Sequence, residues 1–132
     1  MTTQYNEGRH TGEYILRELD TQLCREQVTV VPGASALPAG TVLALATGGA
    51  NSGHYVPFDH GGSNGTNVAS AILYDDVAGS TDPIPAVITA RLSVVAGAAL
   101  NWTSNPSDPQ KAAAAVQLES NTVRSGSNII VR

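Results

Sequence analysis

Apolar positions along this chain come in short bursts, separated by clusters of glycine, proline and small polar residues. "QVTVV" at 27–31 is β-branched and stops at Pro32-Gly33, which predicts a strand followed by a turn. "LPAGTVLALAT" repeats the scheme: Pro38, Ala39 and Gly40 turn the chain, and Thr41 to Thr47 form a strand. "HYVPF" predicts a short strand, with Pro57 at an edge or a strand end because proline removes a ladder donor. "VASAILYDDV" supplies an apolar strand. "AVITARLSVV" at 86–95 is the longest strand candidate. Alternation puts Val87, Thr89, Arg91 and Ser93 on one face. Ile88, Ala90, Leu92 and Val94 fall on the other, the one expected to be buried. "AGAALNW" runs toward a further short strand, and "NIIVR" closes the chain with another. "GGANSG", "DHGGSNGTN" and "AGSTDPIP" are loops.

Helical spacing occurs twice. In "YILRELDTQLCREQ", Ile15, Leu19 and Leu23 recur every four residues, which fits a helix stripe. No strong cap precedes Tyr14 and the run is short, so such a helix is marginal alone. Periodicity leaves this segment open between a helix and an arm that orders on meeting a partner. The second case is clearer. Asp108 is placed to cap, Pro109 to take the first helical position, and "QKAAAAVQLE" holds strong helix formers. The expected packed face is Ala112, Ala115, Val116 and Leu118, with the helix ending between Ser120 and Val123. Many short strands, turns rich in Gly and Pro, and one late helix predict a mainly β or α+β single domain.

Composition narrows the function. The 132 residues suffice for one domain with a modest core. Charged residues make up only 14%, which leaves broad, weakly charged surfaces. With a formal charge of −4 and seven scattered Lys and Arg, no cationic patch for phosphates is visible. Neither nucleic acid nor a membrane is expected as a direct partner. Cys24 is the only cysteine and reads as a buried or idle thiol. The start, "MTTQYNEGRHTGEY", lacks the apolar core of a signal peptide, and apolar runs such as "VVAGAAL" are too short to span a bilayer. A soluble intracellular product is the expectation.

Candidate chemistry is thin. His54, Asp59 and His60 are metal ligands by type, but they sit in a Gly- and Pro-containing loop without a marked fourth ligand. Asp75 and Asp76 are adjacent, so an extended strand points them apart. Neither glycine cluster has the spacing of a phosphate loop, and no nucleophile elbow is present. "NGT" at 64–66 and "NWT" at 101–103 match the glycan acceptor pattern without a secretory signal to give it meaning. No metal, cofactor or catalytic residue is expected. The few aromatic residues are not interleaved with cations, and Trp102 reads as a core or subunit-contact residue.

The order of segments says more than any one of them. "GEYILRE", "REQVTVVPG", "LPAGTVLA", "YVPFD", "ASAILYDDVAG", "AVITARLSVV", "LNW" and "IIVR" follow one another colinearly from Gly12 to Arg132. This series resembles the head decoration protein family of tailed bacteriophages, the family of the lambda decoration protein. The resemblance implies a non-enzymatic, β-clip type domain with helical additions, over residues 27–132, preceded by a flexible arm over 1–26. It implies homotrimers on the outside of an expanded head, at three-fold and quasi-three-fold sites. There they clamp the major capsid protein lattice against the pressure of packaged DNA. The arm, "GEYILRE", implies docking through Gly12, Glu13, Tyr14, Ile15, Leu16, Arg17 and Glu18, as a strand added to a capsid-protein segment. Tyr74 and Trp102 become subunit-interface or core residues. The protein is then made in the host cytoplasm and resides on the virion. A phage surface or tail module of similar fold, with a non-capsid ligand, is the alternative. Two departures from the family pattern stand out: "LESNTVRSGSN" lengthens the junction between helix and last strand, and "LDTQLCRE" has no assigned role.

Overall fold

Five of the apolar bursts close on one another. The computed structural model describes residues 10–120 and 128–132. In chain order these hold β1 (Ile15–Glu18), α1 (Thr21–Cys24), β2 (Arg25–Val30), β3 (Val42–Leu45), β4 (Tyr55–Pro57), β5 (Ala69–Leu73), β6 (Ile84–Thr89), β7 (Ser93–Val95), a 3₁₀ turn (Gly97–Ala99), α2 (Asp108–Ser120) and β8 (Ile129–Val131). Strands β2-β4-β3-β5-β6 form a closed barrel, and β1-β7-β8 form a separate three-stranded sheet. The domain is mainly β with one long C-terminal helix, as the pattern predicts.

Alternation along the barrel strands builds two cores. Leu43, Ala71, Leu73 and Ile88 point inward and fill the barrel with Val30, Leu37 and Tyr55. Their neighbours Val42, Ala69 and Ile72 point outward and are equally buried, because α2 and the small sheet cover that side. Ala114 and Leu118 of α2, Val95 of β7, Ile129 of β8 and Tyr14 complete this second core. β5 is therefore buried along its whole length. Pro57 stands at the end of β4, where pairing to β2 has already stopped at Val30–Tyr55.

Four expectations change. The run 86–95 is two strands, because the chain breaks at Arg91 and Leu92, and Leu92 adopts a left-handed φ of 55°. Ile88 and Ala90 are buried as alternation requires, but beyond the break the faces exchange. Ser93 and Val95 are buried while Val94 turns outward. "AGAALNW" forms a 3₁₀ turn and a single bridge from Asn101 to Thr41 rather than a strand. In α2 the packed side chains are Ala114 and Leu118, four apart, whereas Val116 is 63% exposed. At its start Ser107 takes the cap position: its carbonyl accepts from the Lys111 amide at 2.9 Å and its amide donates to Gln110 Oε1 at 2.7 Å. The expected end of the helix beyond Ser120 lies outside the described residues.

The Ile15–Leu19–Leu23 stripe is not a helix. Ile15 is in a strand, Leu19 in the connection after it, and Leu23 in the single turn of α1. Asp20 caps that turn, its Oδ1 accepting from the amides of Gln22 (2.8 Å) and Leu23 (3.2 Å). The buried Cys24 thiol donates to the Leu92 carbonyl at 3.2 Å, and the Leu19 amide reaches the same oxygen at 3.2 Å. This ties the short helix to the break that separates barrel from sheet.

Candidate functional site

The segment from Gly12 to Glu18 is joined to the domain at both ends. The Gly12 amide donates to the Tyr74 carbonyl at 3.0 Å, and Thr11 Oγ1 donates to Asp75 Oδ1 at 2.7 Å. Gly12 has φ of +67°, and a Cβ there would stand 2.9 Å from the Tyr74 ring, so this position needs glycine. Tyr14 is 1% exposed, and its hydroxyl meets Thr89 Oγ1 at 2.5 Å on the barrel wall. Burial raises the Tyr14 phenol well above its usual range, against the Thr89 hydrogen bond that lowers it. Glu18 forms a two-pronged pair with Arg25 (3.0 and 2.7 Å), and the Arg25 guanidinium lies 4.1 Å from the centre of the Tyr74 ring. The hydrogen bond to Glu18 raises the Arg25 pKa.

Between these anchors, β1 pairs antiparallel with β7 through Ile15–Val95, Arg17–Val94 and Glu18–Ser93. One extra residue bulges at Leu16. A bulge lets two consecutive side chains share one face. Ile15 and Glu18 thus both turn toward the protein, while Leu16 and Arg17 are both exposed. Val94 also pairs with Ile130, so Arg17, Val94 and Ile130 form a row on the outer face of the sheet. With Leu19 and Leu92 they line an open, mostly apolar groove of about 320 Å³. The far side of β1 pairs with no strand among the described residues. Leu16, Leu19 and Leu23, at 59, 70 and 55% exposed, all belong to this stretch of eight residues.

Of the seven residues expected in a docking arm, the structure brings Leu16 and Arg17 to the surface and buries Tyr14. Glu13 is exposed and accepts from the His10 amide at 3.2 Å. The expected boundary after residue 26 crosses no gap in the fold, since β1 and α1 belong to the packed unit. Residues 1–9 of the expected arm lie outside the described residues. Tyr74 is half-buried between Gly12 and Arg25. Trp102 is half-buried, edge-on to Phe58 at 5.9 Å, and lines a shallow hollow with Lys111, Ala112 and Ala115. The groove residues Leu92, Val94 and Ile130 escape sequence reasoning, because their exposure depends on the strand break and the bulge.

The polar candidates serve the fold. Asp76 Oδ1 accepts the Ala39 amide at 2.6 Å, and Asp75 holds Thr11. Asp59 accepts the Gly61 amide at 3.1 Å, and His60 Nδ1 meets Ser104 Oγ at 3.3 Å. His54 Nδ1 is buried without a hydrogen bond. The hollow beside these loops, about 450 Å³, is lined by Asn51, Ser63, Asn64 and glycines, with Asp59 the only ionisable side chain. Among the described residues no group of three His, Cys, Asp or Glu could hold a metal, and no helix is long and apolar enough to cross a membrane.

The described residues form a small closed barrel beside a three-stranded sheet whose β1 edge pairs with no further strand among them. Residues 4–123 match the family model of bacteriophage lambda head decoration protein D, and the chain belongs to that family. It is thereby a capsid-associated, structural and non-catalytic class of phage protein. A comparison with curated proteins gives no match.

Proposed function

We propose that the protein is a homotrimeric decoration protein. It binds the outside of an expanded phage head at three-fold and quasi-three-fold sites and holds the major capsid protein lattice against the pressure of packaged DNA. The observation that carries this reading is the family match over residues 4–123, which takes in the N-terminal segment as well as the barrel. The docking segment is Gly12 to Glu18 together with the residues before it. Tyr14 and Glu18 root it in the domain, and Leu16 and Arg17 face outward. The open side of β1 suits an added strand, which supplies main-chain hydrogen bonds without demanding a particular sequence. Three such weak attachments on one trimer combine into a strong one.

Sedimentation of the purified protein with expanded heads of the phage that encodes it, assembled without it, tests the reading. Saturable binding in multiples of three, and heads that retain DNA on heating only when decorated, are the expected results. Absence of binding, or binding as single copies, overturns it.

A further inference from the structure

Three of the exposed large hydrophobic side chains cluster in one short stretch, and that stretch borders an apolar groove. We propose that the groove formed by Leu19, Leu92, Val94 and Ile130, with Arg17 at its rim, is a second contact for the capsid protein. It takes an extended segment that presents an apolar side chain beside a carboxylate. This rests on the decoration reading above and adds to it a surface distinct from the strand edge. The edge lies in the plane of the small sheet, whereas the groove lies on its outer face.

Two observations select the occupant. The first is charge. Glu18 pairs with Arg25 and Glu26 with Arg91, whereas Arg17 is exposed and makes no ion pair among the described residues. An unpaired guanidinium beside apolar walls favours a partner that brings a carboxylate and an apolar group together. The second is continuity. Arg17 belongs both to the proposed docking strand and to the groove, and Leu19 follows directly after that strand. A segment laid along β1 would pass the groove mouth. Leu92 supports the same reading: a bulky residue with φ of 55° is an unfavourable conformation, and here it places an apolar side chain in the groove wall.

The test uses the full chain and expanded heads of its own phage, with Leu19→Glu, Arg17→Glu and, on α2 outside the groove lining, Val116→Glu. All three positions are exposed, so each variant is expected to fold with unchanged circular dichroism. Leu19→Glu should weaken head binding about tenfold or more, and Arg17→Glu about threefold to tenfold. Val116→Glu should bind like the parent. The parent and all variants should show the same mass in solution. If Leu19→Glu binds normally while removal of residues 1–9 abolishes binding, the groove is not a contact and the decoration reading stands. If Leu19→Glu changes the mass in solution, a second copy of this chain occupies the groove and the proposal is overturned. If the parent itself fails to bind heads, both readings fall together.

Discussion

The barrel and the small sheet are built from the same kinds of residue but handle their edges in opposite ways. The barrel closes on itself, with β2 paired to β6 over six residues and to β4 at Val30–Tyr55, so each of its strands has a neighbour on both sides. The three-stranded sheet has no further strand beside β1 among the described residues. Its inner face is tied to the barrel through Tyr14, Val95 and Ile129, while on its outer face the half-buried Leu92, Val94 and Ile130 line a groove with the exposed Leu19. Closure makes a rigid platform, and the proposed binding surface is the edge that this platform backs. On that proposal, stability and recognition belong to separate parts of one chain. The closed part has no need of exposed apolar groups, and the open part would be an aggregation hazard without a partner.

Substitutions should separate the two regions, beginning with the largest effect. Ile88→Ala in the barrel interior removes a fully buried side chain and is expected to cost about 3 kcal/mol, read as a shift in the denaturant midpoint. A loss below about 1 kcal/mol would mean that the barrel is not the platform. Tyr14→Phe, at the join of the two regions, leaves the Thr89 hydroxyl without its partner and should cost about 1 kcal/mol. The same residue predicts an alkaline limit. The folded phenol has its pKa raised, so its contribution is complete below about pH 10. It is lost as pH rises, at up to ~1.4 kcal/mol per pH unit, until the folded phenol also ionises. The Phe variant should lack this decline between pH 10 and 11; an identical decline in both proteins would assign it elsewhere.

Within the sheet the effects shrink. Glu18→Gln breaks a partly exposed pair and should lower stability by less than about 1 kcal/mol, while hydrogen exchange speeds up in β1 and not in β5. Uniform acceleration would show that barrel and sheet open as one unit. Leu19→Ser should leave the midpoint within about 0.5 kcal/mol, because the side chain is 70% exposed in the free protein. A larger loss would place Leu19 in the fold rather than at a binding surface.

Much of the fold was legible in advance. β2, β3, β4, β5 and β8 fall where β-branched runs meet Gly and Pro turns, and α2 lies where alanines follow Asp108-Pro109. The segment Gly12–Glu18 was legible as a colinear motif but not as a geometry. Ile15, Leu19 and Leu23 satisfied a helical period by chance, because a strand, a turn and a single helical turn happened to space them by four. Local pattern could not choose, since the deciding bonds run to Tyr74, Thr89 and Leu92, far along the chain. The same holds for 86–95, where strict alternation suggested one buried face and the left-handed Leu92 reversed it halfway.

By itself, then, the order of residues determined the class: short strands, tight turns, one helix, little charge and no reactive cluster, since these follow from local propensity and composition. Only the tertiary structure decided which apolar residues are core and which stay exposed. Leu118 and Val116 lie two residues apart on one helix, yet one is fully buried and the other exposed. Tyr14 and Leu16 differ in the same way across one bulge. Burial is a property of what packs against a side chain, and here that is set by a barrel closing around residues distant in sequence.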